Sequence, residues 1–206
     1  MMDELIVDNS RTCISDPFPQ VFDAARYLDA AVTAHLQGKH ALTEELIRAA
    51  DMPEIYKWLK PIGANCEAHL VHPPKKNQFA LRAKVRMPTA AEKQQIHKRD
   101  GYNCLFCGIP VIRSEVRARI ASAYPAAARW GRKESEQHSA FQAMWAQYDH
   151  IVPHAKGGTN DLENIVLACA ACNFGRGSYT LEEVGVSDPR KRPPLRGAWD
   201  GLERFR

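Results

Sequence analysis

The chain has no run of apolar residues approaching the roughly twenty needed to cross a bilayer as a helix, so no membrane role is expected. Its opening residues, Met-Met-Asp-Glu-Leu-Ile-Val-Asp, are acidic. They lack the basic stretch and apolar core of a secretory signal, and a cytoplasmic protein is expected. In that reducing setting the six cysteines argue against a disulfide framework and for metal ligands or free thiols. There is no internal repeat. The net charge is only +4, and a content of 45% apolar and 25% charged residues is ordinary for a globular protein. At 206 residues there is room for one sizeable domain or two small ones.

The small net charge conceals an uneven distribution. Residues 1–74 carry −5, residues 75–133 carry +11, residues 134–173 carry −4, and the remainder carries +2. A basic block between acidic ones suggests a polyanionic partner.

Three helices are expected first. An irregular leader of about 15 residues precedes Asp16-Pro17, which can cap and start a helix. Val21, Phe22, Ala25, Leu28, Ala31, Val32 and Leu36 then recur at helical spacing, with Gly38 as a stop. A second helix is read from Thr43, and a third from Pro53, ended by Pro61. His72-Pro-Pro-Lys-Lys-Asn77 reads as a linker. Residues 78–86 alternate apolar side chains with Arg82, Lys84 and Arg86, as a strand with one basic face does. Thr89-Ala-Ala-Glu92 is a capping-box pattern opening a helix to about residue 99. Val111-Ile112 suggests a short strand. Residues 113–147 read as an insertion of two helices broken near Pro125, the second carrying Phe141, Met144, Trp145 and Tyr148. The tail from 187 is basic and proline-rich, with Trp199 and Phe205 expected to tack it onto the body. The domain division is therefore 1–75, 76–186 with the insertion at about 113–147, and 187–206.

The chemistry concentrates between residues 104 and 173. Cys104-x2-Cys107 and Cys169-x2-Cys172 form two knuckles of the kind that supply four thiolates to a structural zinc. Such an ion would fasten the two ends of this region, and its binding energy would become part of the folding energy. Cys13 and Cys66 have no such partner and read as ordinary thiols. His35, His40, His69 and His72 share no spacing that makes a site.

Arg99-Asp-Gly-Tyr-Asn-Cys-Leu-Phe-Cys-Gly108, then Asp149-His-Ile-Val-Pro, Gly157-Gly158, Asn164 and Cys169-Ala-Ala-Cys-Asn173, resemble the HNH nuclease family in its zinc-stapled form. The likeness spans about 99–176 around the insertion, with Asn as the third motif letter. It implies an α+β fold: a mainly helical chain with a small ββα-metal motif. Tyr148–Pro153 and Asn164–Ala168 would be its strands, turning at Gly157-Gly158, and a helix would start at Ala170. Phosphodiester cleavage needs a nucleophile made from water and neutralisation of charge on the phosphate. His150 suits the general base, because an unperturbed imidazole titrates near neutral pH. Asp149, on the other side of the strand, suits a hard divalent cation, Mg²⁺ or Mn²⁺, with Asn173 as second ligand. By the resemblance Asn164 holds the loop around His150, with Asn160 a rival for that task. Arg99, Arg176, His154 and Lys156 are the candidate nucleic-acid contacts. The activity implied is metal-dependent hydrolysis of DNA, although the residues do not separate DNA from RNA.

Nothing in the sequence resembles a helix-turn-helix. The basic insertion is the expected source of any DNA readout, and the acidic N-terminal helices are a candidate surface for a protein partner. The competing function is a zinc-bound nucleic-acid-binding module without catalysis. Its mark would be loss of Asp149 or His150, and both are present.

Overall fold

A helix forms over Pro19–Leu36 (α1) because Val21, Ala24, Ala25, Leu28, Ala31 and Val32 place one apolar stripe along it, and all six are buried. The computed structural model describes residues 11–75 and 87–206. Pro19, not Pro17, sits in the first turn, and Phe18 takes the capping position without a side-chain cap. Phe18 instead stacks on Trp58 at 5.9 Å. Two further helices follow, His40–Ala50 (α2) and Pro53–Ala64 (α3). Pro61 does not end α3. Its missing N–H orphans the carbonyl of Lys57, which lies on an exposed turn where water can take that bond. Continuing the helix buries Ile62.

Thr89 and Glu92 exchange the expected capping bonds and open Ala90–Asp100 (α4). Gly101, at φ 80°, ends it. The next helices are Ser114–Ala123 (α5) and the short Ser139–Ala143 (α6). The second helix of the insertion is thus far shorter than its apolar spacing suggests. The backbone of Met144 and Ala146 pairs with Ile112, at 2.7 and 3.0 Å, and draws Trp145 out of the helix. That pairing is an isolated bridge, so Val111-Ile112 is not a strand. The chain runs on into the strand Gln147–His150 (β1), which pairs antiparallel with Ile165–Ala168 (β2) in the register Asp149 to Val166. The helix Ala170–Arg176 (α7) follows at once. The fold is α+β: seven α-helices and a two-stranded sheet among the described residues.

The same apolar core runs through both ends of the chain. α3 packs on α6 and α7, and α4 packs on β2. Gly175 permits the close approach of α3 to α7, since a Cβ there would sit 2.7 Å from Ile62 Cγ2. Residues 11–14 are not a loose leader: Cys13 and Ile14 are buried, and Arg11 bridges to Val186. The tail also returns. Arg192 donates to the carbonyls of Leu105 and Phe106, Arg196 to those of Lys98 and Arg99, and Trp199 to Val111. Phe205 is buried and stacks on His35. The basic strand expected over 78–86 and the first ten residues lie outside the described residues. No helix among the described residues is long and apolar enough to cross a membrane.

Candidate functional site

The two cysteine pairs, 62 positions apart at their nearest, meet in space. All four sulfurs lie within 4.8 Å of one another, and Cys107 and Cys169 are separated by 3.5 Å. Four sulfurs around one zinc at 2.3 Å would stand about 3.8 Å apart, so both the spacing and the soft donor set fit this ion. Cys104, Cys169 and Cys172 are buried and Cys107 is half-buried. Burial opposes ionisation of Cys104, yet hydrogen bonds from the other three thiols hold it well below the ordinary thiol range. Hydrogen bonding to Cys104 in turn pushes Cys107 and Cys172 well above it. Four buried thiolates can coexist only around a cation. The knuckle is anchored to the sheet by the Leu105 N–H, which donates to Leu167 O at 2.9 Å.

Beside this cluster β1 alternates as a strand must. Gln147 and Asp149 face α7, while Tyr148 and His150 face the other way. Asp149 is buried and meets Arg176, whose Nε donates to its Oδ2 at 3.1 Å and whose Nη2 donates to its Oδ1. Burial pushes the Asp149 carboxyl above its ordinary range, against the opposing pull of Arg176. One turn earlier on α7, the Asn173 amide donates to Gln147 Oε1 at 3.5 Å. The Nε2 of Gln147 is buried without a partner. Asp149 and Asn173 therefore lie on one side of the strand, as the candidate cation ligands require. The carboxylate and carboxamide oxygens are hard donors of the right kind. Arg176 already occupies one position on each Asp149 oxygen, and its charge opposes a cation there.

On the opposite face, His150 Nε2 lies 3.1 Å from Asn160 Oδ1. Asn164 holds the chain that follows. Its Oδ1 accepts from Val152 N at 2.8 Å, and its amide donates to Val152 O and Thr159 O. The two asparagines thus divide the work: Asn164 fixes the backbone and Asn160 holds the ring. The glycine pair makes no tight hairpin turn, because residues 151–164 form a long connection with two short helical turns. Gly157 takes a left-handed conformation, φ 87°. Gly158 lies against Val152 O, where a Cβ would stand 1.8 Å away. This closes the connection onto the end of β1.

Several candidate nucleic-acid contacts are committed to the protein itself. Arg176 is 1% exposed and also donates to His150 O and Tyr179 O, so as placed it cannot meet a phosphate. Arg99 spans Asp100, Leu162 O and Ile165 O, tying α4 to β2. Lys156 pairs with the buried Glu183 at 3.1 Å. His154 is half-exposed, its ring 6.5 Å from that of His150. The insertion spends part of its charge similarly, while Arg132 and Lys133 are exposed. Arg113 and Arg119 face Glu203, Arg129 pairs with Asp51, and Arg117 lies 3.5 Å over Trp130.

Residues 134–178 match the HNH endonuclease family. The match covers β1, its connection, β2, α7 and the second cysteine pair, and it gives this segment a nuclease-type function in general terms. The first cysteine pair, outside the matched residues, completes the four-cysteine cluster of the zinc-stapled form. No curated protein and no solved structure matches the chain.

Sequence reasoning missed three features. Gln147 lies beside Asn173, and its strand alternation with Asp149 was the available signal. Asp100, buried, accepts from Leu167 N at 2.9 Å and from Arg99. His35 and His40 converge on the Tyr124 hydroxyl, at 2.7 and 2.9 Å, and no linear spacing announces that contact.

Proposed function

We propose that this protein is a metal-dependent endonuclease that hydrolyses DNA phosphodiester bonds, with His150 as general base. The observation that carries the reading is the tethered ring of His150 at the end of β1, inside the segment that matches the nuclease family. A carboxamide oxygen only accepts, so Asn160 favours the tautomer protonated at Nε2. The Nδ1 lone pair is then the one that takes a proton from water. Asn164 keeps the adjoining backbone from shifting, and Asn160 keeps the ring from turning.

A divalent cation, Mg²⁺ or Mn²⁺, held by Asn173 and Asp149 would supply positive charge at the phosphate and leaving oxygen. The proximity of Arg176 implies weak binding of that cation. The cysteine cluster supports a second, structural role for zinc, apart from the chemistry.

Plasmid nicking in the presence of magnesium or manganese tests the assignment. His150→Ala should lower the rate by about 10²–10⁴-fold, the usual worth of a general base, with zinc content and unfolding temperature unchanged. Cleavage at the wild-type rate by that variant would sink the proposal and leave the non-catalytic binding module standing.

A further inference from the structure

Between α3 and α7 lies a cavity of about 520 Å³, within the range that nucleotide-sized ligands occupy. Its lining includes Tyr56 and Lys60 from α3, Gln142 and Trp145, and Asn173 and Phe174 from α7. The N-terminal helices therefore build one side of an opening that begins at a candidate catalytic residue. Phe174 is 41% exposed, unusual for a phenylalanine in a folded chain, and Trp145 stands edge-to-face with it at 6.2 Å. Lys60 Nζ sits 5.7 Å over the Tyr56 ring at the rim.

We infer that this cavity receives an unpaired nucleobase next to the scissile phosphate, so that the enzyme acts on single-stranded or locally unpaired nucleic acid. The inference rests on the nuclease reading only for the place of the phosphate. The chemistry is that of single-strand recognition: aromatic side chains stack on a base, a cation meets the backbone, and no particular base is demanded. A base inside a duplex is covered on both faces by its neighbours and can enter the cavity only after leaving the stack. Glu134, also on the lining, would repel a phosphate but accept from exocyclic amino groups, which orients the base inward and the phosphate toward Lys60 and Asn173. Arg113, Arg117 and Arg129 of the basic insertion are spent on protein groups, which leaves less of its charge for a duplex backbone.

The test uses the full chain carrying His150→Ala, to separate binding from cleavage. Fluorescence anisotropy would compare a labelled 12-nucleotide strand of mixed sequence with its blunt duplex at low salt. The strand should bind at least about tenfold more tightly. Tyr56→Ala should weaken strand binding about five- to a hundredfold, the usual range for one stacked base. Lys60→Ala should weaken it several-fold and reduce the salt dependence. Each variant's unfolding temperature and zinc content should match the parent. Equal or tighter duplex binding, no binding to either, or a strand affinity indifferent to Tyr56 would overturn the inference. Wild-type protein that cleaves duplex while these results fail would refute the cavity alone. Strand binding without any wild-type cleavage would refute the catalytic reading and leave the cavity's role intact.

Discussion

Arg176 and Asp149 are the pair on which the site depends most. Both are buried, and each is the other's principal compensation. Desolvating two charges is costly, so the pair adds little net stability, but removing one partner strands the other. Arg176→Met should destabilise the protein by about 3–5 kcal/mol, read as a lower urea midpoint. Adding Asp149→Asn should restore much of that loss, because no uncompensated charge would remain. A single variant as stable as the parent would show that the two groups do not depend on each other. Asn160 and Asn164 differ in kind: one bonds a ring, the other backbone, so their loss should act on different steps of the chemistry.

At the scale of elements, His138 joins two of them. It caps α6 by accepting from Phe141 N at 3.4 Å through Nδ1, and donates from Nε2 to Ile47 O on α2 at 2.9 Å. That set of partners suits the neutral ring. Burial lowers its pKa below the ordinary imidazole value, with Asp51 pulling the other way and Arg129 reinforcing burial. His97, buried between Gly101 O, Tyr148 and Tyr102, is lowered for the same reason. A depressed histidine pKa means that the unfolded chain binds more protons as pH falls through about 6.5. Stability should therefore be level above about pH 7 and decline below pH 6.5. Unfolding temperatures across pH 5–8 would check this, with a flatter profile for His138→Gln. A profile unchanged by that substitution would show that His138 contributes nothing to it.

The elements legible in the sequence were those with local signals. The capping box at Thr89, the apolar stripe of α1 and the β-prone run at Ile165 each state their structure within a few residues. Pro61 misleads because its cost falls on a carbonyl that water can satisfy. α6 stops short because Ile112, more than thirty positions away, takes the backbone of Met144 and Ala146. The site divides the same way. Motif spacing brings out Asp149, His150, Asn164, Asn173 and the cysteines, which lie in or between elements of the expected order. The inward turn of Arg176 and the cavity beneath Tyr56 depend on how α3 meets α7, which no local pattern encodes.

For the whole molecule, the cysteine cluster is the joint between segments far apart in sequence. Metal analysis should find close to one zinc per chain. A strong chelator, or Cys104→Ser, should lower the unfolding temperature sharply or cause aggregation, since a structural zinc contributes on the order of 10 kcal/mol. A metal-free protein that remains folded at the original temperature would contradict this. The nuclease segment does not stand apart from the helices before it, because α3 covers α7 and the tail returns to Val111.

The separation of the knuckles has a consequence during synthesis. Cys104 and Cys107 leave the ribosome more than sixty residues before Cys172, an interval of roughly 3–13 s at about 5–20 residues per second. For that time two thiols stand ready for metal with only half their coordination supplied. A nascent chain held by one knuckle can exchange its ion or lose it to a competing thiol. Intracellular zinc supply should therefore govern the yield of active protein more strongly than its stability once made.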